Sequence, residues 1–168
     1  MSSPPLATAA AAMASWMFVT PMPCPKAADA VSTGTQGRPF GRLTLSAALF
    51  ATATSLLEPG DHMVVVRTNY ATNLETPRAI GADVDIVDLA YDDAWQLDPT
   101  RVESLVRPGV TRLLSVTCPH NPTGVMCSEA ELRRLAELAR RHDCVLLVAE
   151  PYRELSLDGA LPLAASLG

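Results

Sequence analysis

A chain of 168 residues is sized for one domain, since domains usually run to about 100–200 residues, and its 48% hydrophobic content supplies a sizeable core. Thirteen basic residues against eighteen acidic ones leave a net charge of −5. Twelve of the thirteen are arginine and Lys26 is the single lysine, so there is no broad basic face for nucleic acid or an anionic membrane.

No consecutive apolar run reaches the roughly 18 residues of a membrane span, and the apolar stretch 6–19 lacks the basic residues that precede a secretion signal. Cys24, Cys118, Cys127 and Cys144 show neither C-x-x-C spacing nor the density of a secreted disulfide framework. Reduced thiols in a cytoplasmic protein are therefore expected.

The composition changes near residue 43. Residues 1–42 hold six of the fourteen prolines and only four charged residues, Lys26, Asp29, Arg38 and Arg42, and read as an irregular N-terminal arm. Within it, 31–33 is a weak strand candidate. Residues 43–168 alternate short β-branched runs with helical segments. The chain-order reading is a helix over 43–57, a strand over 63–67, and a helix over 70–80 interrupted by Pro77 and closed by Gly81. A strand over 84–89 follows, then a helix over 99–106 capped by Asp98, and a strand over 112–117. Ser128-Glu129-Ala130-Glu131 has the spacing of a capping box and opens a helix that runs to about His142. Leu132, Leu135, Ala136 and Ala139 form its apolar stripe. A continuous apolar strand over 145–148 completes the series. Strands alternating with helices imply right-handed crossovers and an α/β fold with a mostly parallel sheet and flanking helices.

Ligands of open α/β sheets bind beyond the carboxyl ends of the strands. Three such places carry unusual residues. Pro119-His120-Asn121-Pro122-Thr123-Gly124 follows one strand, Ala149-Glu150-Pro151-Tyr152-Arg153-Glu154-Leu155 closes the next, and a run from Leu57 through Glu58-Pro59-Gly60-Asp61 ends at Asn69-Tyr70. Taken alone, Asn-Pro-x-Gly is also an ordinary turn. In combination, order, spacing and strand-end placement resemble the large domain of class I/II pyridoxal-phosphate-dependent aminotransferases, the fold-type I family. The resemblance runs from about Ala47 to Leu157, some two-thirds of the chain.

That resemblance implies pyridoxal 5′-phosphate as cofactor, an amino acid and a 2-oxo acid as substrates, and either a homo-oligomer or association with a homologue. Asn121 matches the asparagine that hydrogen-bonds the phenolic oxygen of the cofactor ring, Tyr152 the tyrosine that shares this oxygen, and Tyr70 the aromatic residue packed on the ring. Gly34, Thr35 and Gln36, within Thr33-Gly34-Thr35-Gln36-Gly37, resemble the loop that cradles the phosphate at a helix N-terminus.

Three departures concern the chemistry. The family's D-x-x-Y aspartate, which pairs with the ring nitrogen, is Ala149 here, and Glu150 is no substitute because neighbours on a strand face opposite ways. The Schiff-base lysine would lie beyond the tyrosine segment, in sequence past Gly168, and Lys26 sits on the wrong side of the phosphate loop. Arg38-Pro39-Phe40-Gly41-Arg42 also separates the loop from its helix. The reading is thus of a truncated large-domain fragment, inactive alone, with no catalytic residue assigned. The rival is a non-catalytic module that associates with a full-length homologue or pathway partner through the strand edge left open at Ala149. Cys118, His120, Cys127 and His142 lack zinc spacing, and no metal is expected.

Overall fold

In the computed structural model the described residues are 17–19, 44–67, 69–155 and 164–166. Five strands form one sheet: β1 (Met17–Val19), β2 (His62–Arg67), β3 (Asp83–Asp88), β4 (Thr111–Thr117) and β5 (Val145–Ala149). Four helices accompany them: α1 (Leu45–Leu56), α2 (Ala71–Ile80), α3 (Pro99–Leu105) and α4 (Glu129–Arg141). The spatial order is β1-β5-β4-β2-β3. β2 to β5 are mutually parallel, as the alternation of strands and helices predicts.

Helices cover both faces, which is why β2, β4 and β5 are almost continuously buried rather than alternating. On one face, Met63, Val65, Leu113 and Leu147 pack against Ala48, Leu49 and Ala53 of α1, with Leu74 of α2 at the margin. On the other, Val64, Leu114, Leu146 and Val148 meet Val102 of α3 and Leu132, Leu135, Ala136 and Ala139 of α4.

Local chemistry sets the helix ends. Ser128 and Glu131 close a reciprocal capping box, and Asp98 accepts from the Thr100 backbone N–H at 2.8 Å. Gly81, at φ 93°, ends α2 with its N–H on the Arg78 carbonyl while Ala82 N–H reaches the Pro77 carbonyl, a Schellman closure. Pro77 lies within α2 without ending it.

The other end of the sheet differs from expectation. The sequence leaves β5 as an open edge, yet Met17–Val19 pairs with it antiparallel, Met17 opposite Ala149. That strand comes from the stretch read as irregular. The strand candidate 31–33 lies outside the described residues. The opposite edge is β3, whose Asp83, Asp85 and Asp88 are the kind of charges that discourage edge pairing. Among the described residues, no helix is long and apolar enough to cross a membrane.

Candidate functional site

Three loops leave the carboxyl ends of β2, β4 and β5 and bring their side chains together. After β2, Asn69 folds back, its Nδ2 donating to the Val66 carbonyl at 3.1 Å and its Oδ1 accepting from Tyr70 N–H at 2.8 Å. Tyr70 is thereby held as the residue before α2. After β4, the loop to α4 is closed at its base by Cys127 N–H on Cys118 Sγ, 3.2 Å. Its tip is tied by Gly124 N–H on the His120 carbonyl at 2.7 Å and by His120 Nδ1 with Thr123 Oγ1 at 2.8 Å. Asn121 projects from this brace. After β5, Leu155 N–H donates to the Tyr152 carbonyl at 2.9 Å and fixes the turn bearing Tyr152.

The outcome is a polar cluster without a formal charge. The hydroxyls of Tyr70 and Tyr152 lie 2.7 Å apart, and Asn121 Nδ2 approaches the Tyr70 hydroxyl at 3.5 Å. The hydrogen bond to Tyr70 raises the Tyr152 phenol above its ordinary value, so this phenol stays protonated at neutral pH. Two hydroxyls and an amide can surround an acceptor oxygen with neutral donors. Tyr70, matched in sequence to a ring-packing role, here joins the cluster through its hydroxyl.

Ala149 and Glu150 part company, as strand alternation requires. Ala149 pairs with Thr117 on the α1/α2 face. The buried Glu150 carboxylate accepts from Ala164 N–H at 3.3 Å, and Ala164 belongs to the α3/α4 core. Burial pushes the Glu150 carboxyl up. Thr117 Oγ1 is buried with no hydrogen-bond partner among the described residues. No sequence motif marks it, because its isolation depends on what packs around it. Gly34, Thr35 and Gln36 lie outside the described residues. Cys118, Cys127 and Cys144 are free, buried thiols, and burial pushes Cys144 up to about 12. Among the described residues no group of three or more His, Cys, Asp or Glu side chains is placed to hold a metal.

Tyr70, Asn121 and Tyr152 thus converge at the carboxyl edge of a mostly parallel α/β sheet, the edge beyond which ligands of open sheets bind. The family model for aminotransferase class I and II matches residues 7–166, and the chain belongs to that family. It is 35% identical over 120 residues to an arginine–pyruvate transaminase of Pseudomonas aeruginosa, covering 71% of this chain and 30% of that protein. It is 38% identical over 113 residues to a probable aspartate/prephenate aminotransferase of Thermus aquaticus, covering 67% and 29%. The solved aspartate aminotransferase of Thermus thermophilus with maleate superposes with a TM-score of 0.67 at 32% identity, over 71% of this chain and 31% of that one. The chain thus spans about 30% of the length of these relatives.

Proposed function

We propose that the Tyr70–Asn121–Tyr152 cluster forms the ring-binding edge of a pyridoxal-phosphate site. The whole protein's activity would be transfer of an amino group between an amino acid and a 2-oxo acid. Residues 43–168 supply four of the five described strands of the cofactor-binding sheet on this reading, and 1–42 the edge strand β1 and the arm that carries the phosphate loop. The observation that carries it is the convergence of three neutral donors from three separate strand ends. The class I and II family depends on pyridoxal phosphate, and the donor set fits it. A phenolic ring oxygen is an acceptor that neutral N–H and O–H groups stabilise without an opposing charge.

When bound, the cofactor supplies the carbonyl and the electron-withdrawing ring through which the amino group passes. Asn121 Nδ2 and the Tyr152 hydroxyl would hold the phenolic oxygen, with Tyr152 keeping a proton at that atom. Tyr70 orients Tyr152 through the 2.7 Å contact. No residue of the chain is assigned the covalent link.

The rival reading, a binding module using an open strand edge at β5, loses its motive because β1 occupies that edge. The test is titration of the chain with pyridoxamine 5′-phosphate, which has no aldehyde to react with Lys26. Saturable binding weakened about three- to tenfold in each of Asn121→Ala and Tyr152→Phe is expected. Absence of saturable binding, or variants indistinguishable from the parent, would overturn the reading.

A further inference from the structure

A hydroxyl taken out of water is normally matched by a partner, because leaving it unmatched forfeits its hydration with no return. Thr117 breaks that rule at a particular place. It is the last residue of β4, 4% exposed, and its Oγ1 has no partner among the described residues. Two positions earlier on the same face, the Ser115 hydroxyl accepts from Asn73 Nδ2 at 2.8 Å. Among the described residues, the face is satisfied up to the strand end and deficient only there.

The register explains what lies beside it. Thr117 is directly opposite Ala149, and Cys118 N–H donates to the Ala149 carbonyl at 2.9 Å. Alternation turns both side chains toward the face of Leu113 and Leu147, the face on which Tyr70 packs. Ala149 contributes only a methyl group. The adjacent carboxylate, Glu150, is committed to Ala164 N–H on the opposite face. The carboxyl edge of the sheet beside the tyrosine cluster therefore offers a buried hydroxyl where the family resemblance places an aspartate.

We propose that the Thr117 hydroxyl donates its hydrogen bond to the ring nitrogen of the cofactor, an inference that rests on the cofactor reading above. A carboxylate in that place would favour a protonated, cationic pyridine. A hydroxyl has one proton to give and no charge to stabilise a cation, so its match is the unprotonated nitrogen lone pair. No proton changes owner; one hydrogen bond forms where the ligand-free protein has none. Thr117 is thus a positioning residue that selects the neutral ring. It also gives a physical reason for tolerating alanine at position 149.

The experiment compares pyridoxamine 5′-phosphate with its 1-deaza analogue, in which C–H replaces the ring nitrogen, on the full chain and on Thr117→Val and Thr117→Ser. The parent chain should prefer the nitrogen ligand about three- to tenfold, the size of one hydrogen bond. Thr117→Val should bind both ligands with the parent's affinity for the deaza analogue, and Thr117→Ser should retain the preference. The ligand-free Thr117→Val chain should melt at or above the parent temperature, since a methyl group replaces an unmatched hydroxyl. A purely structural threonine would not produce that opposition between stability and ligand choice. Binding without discrimination by the parent, or equal weakening for both ligands in Thr117→Val, overturns the Thr117 assignment and leaves the cofactor reading standing. Failure of the parent to bind either ligand overturns both.

Discussion

The two ends of the same strands use polar residues in opposite ways. At the amino end, His62 is fully buried between β3 and β4, with Nδ1 2.7 Å from Thr111 Oγ1 and Nε2 3.1 Å from Asp85 Oδ2. A carboxylate only accepts, so Nε2 carries the proton and the neutral ring's Nδ1 accepts from the Thr111 hydroxyl. Thr111 Oγ1 also accepts from Arg107 N–H at 2.7 Å, and the Arg107 guanidinium spans Asp83 and Asp85. Arg112 and Asp61 add a further pair at 3.3 Å. Around His62 each polar group has a partner within the chain. At the carboxyl end, Arg67 and Asp88 pair on the exposed outer edge and Glu150 is committed to Ala164 N–H on the opposite face, while the Tyr70–Asn121–Tyr152 cluster is uncharged and the Thr117 hydroxyl beside it is left over. The network around His62 is complete within the chain, whereas the carboxyl end leaves one hydrogen bond unmade among the described residues.

The comparison breaks most directly at His62. His62→Ala removes a buried ring and two hydrogen bonds and should cost about 2–4 kcal/mol in denaturant titration. Asn121→Ala, at the other end, should lie within about 0.5 kcal/mol of the parent. Equal losses would erase the distinction.

Acid should reach the same network next. Burial holds His62 below its ordinary pKa of 6.5, with the Arg107 guanidinium acting in the same direction and Asp85 opposing. The unfolded chain therefore takes up a proton that the folded chain refuses. The His62 contribution is full above pH 6.5 and declines as pH falls below it. Unfolding free energies measured from pH 8 to 5 should show this decline, and His62→Ala should flatten it.

Smaller effects calibrate the scale. Ser128→Ala deletes the cap of α4, remote from either polar cluster, and should cost about 1 kcal/mol in the same titration. A loss above that of His62→Ala would mean that helix docking, not the buried network, limits stability. Smallest is Arg67→Ala. Both partners of its ion pair are half exposed, so the change should fall between about 0 and 1 kcal/mol and shrink further in high salt.

Sequence alone determined whatever is local. Apolar runs marked β2, β4 and β5, the capping box marked α4, Gly81 closed α2, and the segments 119–124 and 149–155 pointed to the strand ends where Asn121 and Tyr152 meet Tyr70. Signals of this kind act within a turn or two of helix, or along one strand, and can be read without knowing the partner. Tertiary structure decided the rest. Met17–Val19 acquires its strand by pairing with β5, more than a hundred residues later, and carries no alternation or turn of its own. His62 reads as the residue immediately after a Pro-Gly-Asp turn until β3 and β4 enclose it. Ser115 and Thr117 read alike, and only the approach of Asn73 gives one a partner and leaves the other without. Whether a buried polar group is matched depends on register and on what packs across the sheet, so the candidate site could be located from sequence, but its unmet hydrogen bond could be found only in the fold.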